Sequence, residues 1–346
     1  MKNLFQNIVV TGFSAITAAG NDLDHLRRAV ASGESALTPI PAEILNCNCV
    51  MWGKAVHFKA SDFIHPLKLR RLDRGSQLAI AAAGMALGDA SVSMEKLDPE
   101  RVGIALGCGF GGVANSAEFL TGYFENGVEG ISPLLFPNTV SNAPASNASI
   151  EHGLKGPNIT MVQRFCSAES AFLAACRFIE EGRADIMLTG GVDELTPLMV
   201  KAFKSMGQLK SYAASFGEGC GIVLLENEEH AARRGAVIRG RVNSVNSLGV
   251  ASEEMDSREI GHLLSDSDGC CYFSLSGTAD ISAPLSSFVK GKKFIDMVPV
   301  VGRSLAMGGT VMAMLIDSLP QSARAMHIAA SPEGPCYAIS FSREPF

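Results

Sequence analysis

Residues 156–192, GPNITMVQRFCSAESAFLAACRFIEEGRADIMLTGGV, constrain the fold of this chain more than any other stretch. Hydrophobic residues occur at intervals between 159 and 165, as in a β-strand. In the alanine-rich segment at 167–181, apolar residues fall on all sides of the expected helix. They finally form a short apolar block at 185–189, which ends in a Gly-Gly pair. This order predicts a strand, a sharp turn, a helix buried on most of its faces and a second strand. Such a unit is typical of an α/β fold.

Cys166 lies at the junction between the first predicted strand and the helix. A thiol there lies at the positive end of the helix, which favours the thiolate and makes Cys166 a candidate acyl-accepting nucleophile. Free cysteines are also common in protein cores, so a buried and inert Cys166 is the alternative. The stretch taken alone favours the buried alternative.

The composition indicates a large globular chain without nucleic-acid or membrane partners. The 346 residues are 47% hydrophobic and 18% charged, enough for one large domain or two closely packed halves. The net charge of −6 gives no electrostatic reason to expect nucleic-acid binding. No apolar run is long enough to span a membrane. We see no signal peptide, so the expected location is the cytoplasm, with reduced thiols.

Neither metal nor cofactor is expected from the cysteine pattern. The nine cysteines are scattered along the chain. The pair Cys47 and Cys49 and the pair Cys270 and Cys271 do not make a zinc-ligand pattern. The glycine-rich GCGFGG at residues 107–112 lacks the lysine and hydroxyl residue of a nucleotide-binding loop, so we interpret it as a close backbone turn.

The remaining elements repeat one pattern twice. The first part predicts strands at 7–12, 102–107 and 217–225, and helices at 21–31, 75–90 and 226–234. From residue 236 the pattern recurs in weaker form, with helices at 257–264, 280–288 and 307–319 and strands at 237–245, 271–275, 325–330 and 335–341.

A series of short motifs also runs through the chain in a fixed order. It comprises IVVTGFSAITAAG at 8–20, GCGFGG at 107–112, FPNT at 136–139, GP at 156–157, GEGCG at 217–221 and LLENEEHAARRG at 224–235. In order and spacing this series resembles the β-ketoacyl-acyl-carrier-protein synthases, the ketosynthases of the thiolase fold. The resemblance covers nearly the whole chain and weakens in the second part.

The resemblance implies a thiolase fold. In that fold two similar βαβαβ halves stack as α-β-α-β-α layers. We place the first half, with its dimer-interface and cap insertions, at residues 1–235 and a shortened second half at 236–346. In the family, the region equivalent to 132–150 lies at the dimer interface.

The resemblance also locates the family's catalytic positions, and this chain departs from each of them. The nucleophilic cysteine falls on Phe165, not Cys166, when the flanking Gly-Pro and Gly-Gly are aligned without a gap. One residue rotates a side chain by about 100° on a helix, so we expect Cys166 to point away from the substrate. The two catalytic histidines fall on Ser276 and Arg303.

Further family positions are changed as well. The lysine and glutamate that accompany the second histidine fall near Val298 and Met312, and the final gate loop is replaced at residues 331–334. None of the histidines falls on either catalytic histidine position of the family. We expect His230 to be solvated on a surface helix, and His262 is a candidate to reach an active site in a rearranged second half. The seven are His25, His57, His65, His152, His230, His262 and His327.

The pocket that holds the acyl chain in the family also looks narrowed. Phe110 falls where ketosynthases place a residue of the acyl tunnel, and a phenyl ring at Phe165 would fill the nucleophile pocket with apolar volume. Met307 is a third acyl-pocket candidate. We therefore expect that this chain has no intact set of catalytic residues.

The sequence thus predicts a non-catalytic, ketosynthase-like subunit of the chain-length-factor type. Such a subunit pairs with an active ketosynthase as a heterodimer in type II polyketide, aryl polyene or fatty-acid-like biosynthesis and shapes the acyl pocket. The known members commonly carry glutamine at the nucleophile position, whereas this chain carries Phe165. Two alternatives stay open: an acyltransferase or ketosynthase with displaced chemistry at Cys166, and a non-condensing protein, for example a homodimer, that binds an acyl group or acyl carrier protein.

An acidic acyl carrier protein would need a local basic patch for docking. The sequence offers two, the KLRR run at residues 68–71 and the pair Arg233 and Arg234. Each is also compatible with an ordinary solvated face.

Overall fold

A computed structural model describes residues 5, 7–45, 50–212, 215–250, 257–277, 291–331 and 335–343. The strands are β1 (Ile8–Ile16), β2 (Thr38–Pro39), β3 (Met51–Gly53), β4 (Val102–Gly107), β5 (Asn158–Met161), β6 (Ile186–Asp193), β7 (Ser215–Gly217), β8 (Gly219–Asn227), β9 (Gly240–Val250), β10 (Cys270–Gly277), β11 (Lys293–Ile295), β12 (Ala323–Ala330) and β13 (Pro335–Arg343). The helices are α1 (Leu23–Ser32), α2 (Pro66–Leu69), α3 (Arg74–Asp89), α4 (Val113–Asn126), α5 (Ala143–His152), α6 (Ser167–Glu180), α7 (Pro197–Ser205), α8 (Glu228–Arg234), α9 (Ser257–Leu263), α10 (Val298–Val301) and α11 (Gly308–Asp317).

Ten strands form one sheet that contains the same strand arrangement twice. The order across the sheet is β11-β10-β12-β13-β9-β1-β8-β6-β4-β5. The first half contributes β1, β4, β5, β6 and β8, and the second half contributes β9 to β13. When the five strands of each half are renumbered 1 to 5 in chain order, both halves have the spatial order 3-2-4-5-1. The strand directions also match, because in each half strand 2 is parallel to strands 3 and 4, and strand 5 is antiparallel to strands 4 and 1. Within this sheet, the described residues that pair the two halves are Val9 and Val10 of β1, with Arg241 and Gly240 of β9. A separate bridge outside the sheet joins Phe216 to Arg303.

Helices cover both faces of the first half, as alternate residues of its strands show. Ile186 and Leu188 of β6 belong to the apolar cluster that includes α3, whereas Met187 between them belongs to the cluster that includes α6. Successive side chains of a strand point to opposite faces, so α3 and α6 lie on opposite sides of this sheet.

Two helices, α6 and α11, form the layer between the halves. Phe172 of α6 reaches Phe341 of β13 in the second half, with ring centroids 5.8 Å apart. Helix α11 packs against both β8 and β10, which belong to different halves, while α9 packs on β9 and β13. The layers are therefore α-β-α-β-α, which confirms the predicted thiolase-type architecture. The division of the chain at residue 235 stays a prediction.

Most predicted elements lie within a few residues of their observed bounds. The helix predicted at 75–90 is α3, and the strand predicted at 102–107 is β4. Asp22 caps α1, accepting a hydrogen bond from the backbone N–H of His25 at 2.8 Å. The sequence analysis gave no helices for α4 and α7, and the helix predicted at 280–288 lies outside the described residues. No helix within the described ranges has the length and apolar character to cross a membrane.

Candidate functional site

The turn before α6 is strained and tightly packed. Arg164 has a backbone φ of 49°, a conformation that costs a side-chain-bearing residue roughly 1–3 kcal/mol. The hydroxyl of Ser167 accepts a hydrogen bond from the N–H of Gln163 at 2.9 Å and so holds the turn against the helix. Gly107 at the end of β4 permits the approach, because a Cβ there would collide with the backbone of Ser167. This geometry places residues 164–166 at one fixed position.

Phe165 lies on the apolar side of this turn. It is 3% exposed and belongs to a cluster with Phe203, Phe216 and Leu305, which we call the Phe165 cluster. Phe110, which is 39% exposed, packs at the edge of this cluster, its ring centroid 6.1 Å from that of Phe203. Two of the three acyl-pocket candidates therefore lie together.

Met307, the third acyl-pocket candidate, lies elsewhere. It is buried in a separate cluster with Val301 and Leu26, between α1, α10 and the start of α11. Val298, near which the sequence predicts the family's lysine position, belongs to the same cluster. The structure therefore does not bring Met307 into the Phe165 cluster.

Cys166 packs in a different direction from its neighbour. It is fully buried against Ala329 of β12 and Tyr337 of β13. Burial, with a smaller contribution from the carboxylate of Glu169, raises the pKa of the Cys166 thiol well above its ordinary value. The expectation that the helix end would favour the thiolate is therefore wrong, because desolvation of the charged sulfur outweighs the helix dipole.

A buried hydrogen-bond network occupies the other side of the turn. Glu169 Oε1 lies 2.5 Å from Ser276 Oγ and 2.8 Å from His327 Nε2, and His327 Nδ1 lies 2.9 Å from Ser274 Oγ. All four residues are at most 2% exposed. We call these four residues the Glu169 network; it joins α6 to strands β10 and β12 of the second half.

The distances are those of hydrogen bonds throughout this network. The carboxylate oxygen of Glu169 accepts from the Ser276 hydroxyl and from His327 Nε2–H, and in a neutral imidazole Nδ1 then accepts from the hydroxyl of Ser274. Both ring nitrogens of His327 are thus engaged, and the ring is 0% exposed. A carboxylate in the first turn of α6 is stabilised by the helix N-terminus. Its second oxygen, Oε2, is buried without a hydrogen-bond partner among the described residues.

Arg303, the last of the predicted site positions, lies beside the others. It is 7% exposed, its backbone pairs with Phe216, and its guanidinium donates to the carbonyl oxygen of Gly277, the residue that follows Ser276. The turn at 164–166 packs against β10, β12 and β13. Phe165, Cys166, Ser276 and Arg303, which are far apart in the sequence, therefore meet at the boundary between the halves.

Two further carboxylates lie at the end of β6. Asp193 accepts from the backbone N–H of Gly109 at 2.8 Å and of Ala306 at 2.6 Å, and so ties the two halves together. Burial raises its pKa to about 6. Burial also raises the pKa of Glu194 to about 7, while Glu194 accepts from the N–H of Ala114 at the start of α4.

The two predicted basic patches differ in availability. At 68–71 the side chain of Lys68 is 58% exposed and pairs with Glu151, and Arg70 and Arg71 are exposed. By contrast, Arg234 binds the fully buried Glu226 at 2.7 Å, so the second patch is partly structural.

Two histidine predictions can also be checked. His230 is not solvated as expected: its side chain is only 14% exposed, and Nδ1 lies 2.6 Å from Glu226. His262 is exposed on α9, on the outer face of the second half. Cys47, Cys49 and residues 332–334 of the predicted gate replacement lie outside the described residues.

The sequence analysis missed Glu169 and His327. Each had a local signal, because each is a polar residue inside an otherwise small or apolar run, SAESAFLAA at 167–175 and AMHIAA at 325–330 respectively. A lone polar residue in a buried element needs a hydrogen-bond partner. The sequence does not identify that partner, which lies 158 residues away.

Comparison with known proteins agrees with this architecture. Residues 6–231 match the family model described as the N-terminal domain of β-ketoacyl synthase. The chain is 30% identical over 261 residues to 3-oxoacyl-[acyl-carrier-protein] synthase 2 of Synechocystis sp. and 30% identical over 255 residues to the synthase of the same name from Vibrio cholerae. These alignments cover 70% and 68% of this chain, and 63% and 62% of the respective relatives.

Two solved structures share the fold over nearly the whole chain. The ishigamide ketosynthase/chain length factor aligns with a TM-score of 0.84 at 21% identity, covering 98% of this chain and 100% of the other. A type II polyketide acyl-carrier protein in complex with its ketosynthase aligns with a TM-score of 0.81 at 22% identity, covering 97% and 99%. Together with the family match over 6–231, the sheet arrangement and the convergent site identify the chain as a member of the β-ketoacyl synthase family.

Proposed function

We propose that this chain is a non-catalytic ketosynthase-like subunit of the chain-length-factor type. It pairs with an active β-ketoacyl-acyl-carrier-protein synthase in type II polyketide, aryl polyene or fatty-acid-like biosynthesis and helps to shape the acyl pocket of the pair. The observation that carries the proposal is the filled site: Phe165 is buried among apolar side chains, and Ser276 is bound within the Glu169 network.

Decarboxylative condensation needs a thiolate and groups that stabilise developing negative charge. Phe165 has no nucleophilic atom, and Ser276 and Arg303 replace the two imidazoles. The one histidine nearby, His327, is fully buried with both nitrogens engaged, so it has no route to a substrate. These features support a subunit that leaves the chemistry to its partner.

The alternative in which Cys166 is a displaced nucleophile loses support. Its sulfur is 0% exposed, packs against Tyr337 and has a strongly raised pKa. An acyl thioester would have to enter a closed apolar contact and meet a protonated thiol.

The partner's place is suggested by an exposed sheet edge. Strand β5 is the last strand of the sheet, and its outer edge has no strand partner among the described residues. Large apolar side chains around it are exposed: Ile150 by 77%, Val162 by 48% and Val140 by 45%. An open edge surrounded by apolar residues is typical of an interface, since an uncovered one invites aggregation. We therefore place the ketosynthase partner on β5 and α5.

An acyl carrier protein is the second expected partner. Carrier proteins are acidic, and the exposed residues Lys68, Arg70 and Arg71 offer positive charge that can attract one. Among the structural relatives, a ketosynthase is solved with its acyl-carrier protein. We propose that residues 68–71 contribute to carrier-protein docking on the assembled pair.

Co-expression with a type II ketosynthase tests the proposal. Size-exclusion chromatography with light scattering is expected to give a 1:1 complex. Ile150→Glu should abolish the complex, because it places a charge in the apolar interface, and Val237→Glu, at a 69% exposed position of the other half, should not. A homodimer that ignores the ketosynthase would instead favour the binding-protein alternative.

A further inference from the structure

A cleft of about 400 Å³ opens at the surface beside the end of β6. Small-molecule sites in proteins have volumes of roughly 300–1,000 Å³, so the cleft is large enough for a small organic ligand. Its apolar walls include Val56 after β3, and Leu195 and Pro197 between β6 and α7. We call it the β6 cleft. Of its described lining residues only Leu195 belongs to the Phe165 cluster and none belongs to the Glu169 network, so the cleft is distinct from the site described above.

The carboxylate of Glu194 lines the β6 cleft and is almost completely buried. The residue is 5% exposed, and its Oε1 accepts a hydrogen bond from the N–H of Ala114 at 2.8 Å, which fixes the side chain at the start of α4. Within the residues that the structure describes, Glu194 forms no ion pair. A buried carboxylate without a basic partner is costly, and a cation that enters the cleft can offset that cost.

The other carboxylate of the cleft, Glu218, is already neutralised. Its Oε1 accepts from Nη2 of Arg74 and from the N–H of Ala55, each at 3.0 Å, and its Oε2 accepts from the N–H of Leu195 at 3.2 Å. Nη2 of Arg74 also donates to the carbonyl oxygen of Ala55 at 2.9 Å. Arg74 is thus held by Glu218 and by the backbone, which leaves Glu194 as the carboxylate for a cationic ligand.

The charged groups around Glu194 favour a positive ligand. Asp73 and Arg74 lie beside it at the start of α3, Glu218 before β8 and Lys54 after β3, while the first turn of α4 adds no charged side chain. Three carboxylates therefore face two basic groups. Burial, with smaller contributions from the carboxylates of Asp73 and Glu218, raises the pKa of Glu194 to about 7. Near neutral pH the carboxylate therefore holds a proton weakly, and a bound cation would replace that proton.

We propose that the β6 cleft binds a small primary alkylamine, with the ammonium group on the carboxylate of Glu194 and the alkyl chain against Val56 and Pro197. Binding is reversible and forms no covalent bond; where Glu194 is protonated, its proton passes to solvent as the ammonium group binds. An anionic ligand would be repelled by Glu194 and Glu218, and an uncharged apolar ligand would cover a carboxylate without replacing its lost hydration. This proposal goes beyond the proposed function and does not depend on pairing with a ketosynthase.

Isothermal titration calorimetry of the full chain with hexylamine as the probe tests the proposal. At pH 8 we expect a dissociation constant of about 1 mM. Hexan-1-ol, which has the same alkyl chain but no charge, should bind at least about tenfold more weakly. Glu194→Gln removes the charge but keeps an oxygen that can accept from Ala114, so it should also weaken hexylamine binding by about tenfold or more.

A second pair of variants tests the position of the ligand. Val56→Lys places a like charge at the mouth of the cleft, at a position that is 72% exposed, and should weaken hexylamine binding by about threefold. Val237→Lys, at a 69% exposed position in the other half, is the matched control and should stay within about 1.5-fold. Thermal unfolding of each variant confirms that the fold is intact.

The pH dependence of binding gives an independent readout. The affinity for hexylamine is expected to rise about tenfold from pH 6 to pH 8, because the ionised fraction of Glu194 rises from about one tenth to about nine tenths as the pH passes its pKa. Hexylamine stays cationic over this range, so the change reports on Glu194. Glu194→Gln should show no such dependence.

The outcomes are decisive in both directions. Hexylamine binding that is weakened in Glu194→Gln, exceeds that of hexan-1-ol and strengthens with pH would support the proposal. An affinity that is unchanged in Glu194→Gln, matched by hexan-1-ol or constant with pH would overturn it, as would the absence of binding at about 20 mM hexylamine. These measurements use this chain without a ketosynthase, so the outcome of the pairing experiment is read separately.

Discussion

The two sides of the site are closed by different physics. On one side, the Phe165 cluster buries aromatic and aliphatic side chains. On the other, the Glu169 network buries a carboxylate, an imidazole and two hydroxyls. Apolar packing tolerates substitutions that preserve volume. A buried charged network does not tolerate the loss of one member, because the remaining group is left unpaired at low dielectric.

Under the proposed function, the difference indicates how a catalytic pocket can be lost without loss of the fold. The sequence predicts the family's nucleophile position at Phe165, which packs in the core, and the first histidine position at Ser276, whose hydroxyl joins a network that ties α6 to the second half. We therefore expect each side to contribute stability at a position where active members of the family have chemistry, and four predictions test this account.

The largest effect is expected in the Glu169 network. His327→Leu should lower the free energy of unfolding by about 3–5 kcal/mol, because it leaves the Glu169 carboxylate buried without its main partner. Adding Glu169→Leu should recover part of this loss, since the double variant has no unpaired charge. Denaturant unfolding of the single and double variants measures both. Additive losses would show that the two groups act independently.

The apolar side should depend on volume. Phe165→Ala is expected to cost about 3 kcal/mol of unfolding free energy through the cavity it creates, and Phe165→Leu less than about 1.5 kcal/mol. The same denaturant experiment measures both variants. Equal losses for alanine and leucine would mean that Phe165 contributes something other than packing.

A pH-dependent effect of about 2–3 kcal/mol is expected at Glu194. Its pKa rises from 4.5 to about 7 on folding, so the folded state holds the proton more tightly than the unfolded state. The stabilisation is complete below about pH 4.5 and is lost as the pH rises through about 7. Glu194→Gln keeps the neutral form, so its stability relative to wild type should grow between these pH values. A constant difference would contradict the raised pKa.

The smallest change is expected at Cys166. Under native conditions, iodoacetamide should label the exposed Cys271 and leave Cys166 unlabelled, because the latter is buried and protonated. Site-resolved mass spectrometry distinguishes the two, and labelling in denaturant confirms that both peptides are detectable. Labelling of Cys166 at a rate similar to Cys271 would reopen the displaced-nucleophile alternative.

Much of the fold could be predicted because buried helices and strands are recognisable in the sequence as runs of small or apolar residues. Helix α3 and strand β4 are runs of small or apolar residues, and their observed bounds lie within one residue of the predicted ones. Helix α4 was missed because it has no buried residue, so no apolar stripe facing a core marks it. Its stabilising contacts, such as that of Phe119 with Phe136, involve a neighbouring turn.

The site was only partly predictable for a related reason. Phe165, Ser276 and Arg303 could be placed together because glycines and short motifs frame each position. The direction of the Cys166 pKa shift could not be predicted, because it depends on the burial of Cys166 against the second half of the chain. The hydrogen bond between Glu169 and His327 likewise forms only after the halves pack, and no local pattern encodes it.

The central claim is that this chain takes no part in the chemistry of its pair. Its most direct test is intact-mass analysis of both subunits after the co-purified complex is incubated with acyl- and malonyl-carrier protein. The account predicts an acyl adduct on the ketosynthase alone, with the mass of this chain unchanged. An acyl adduct on this chain that disappears in Cys166→Ser would contradict the account and identify an enzyme with a rebuilt site.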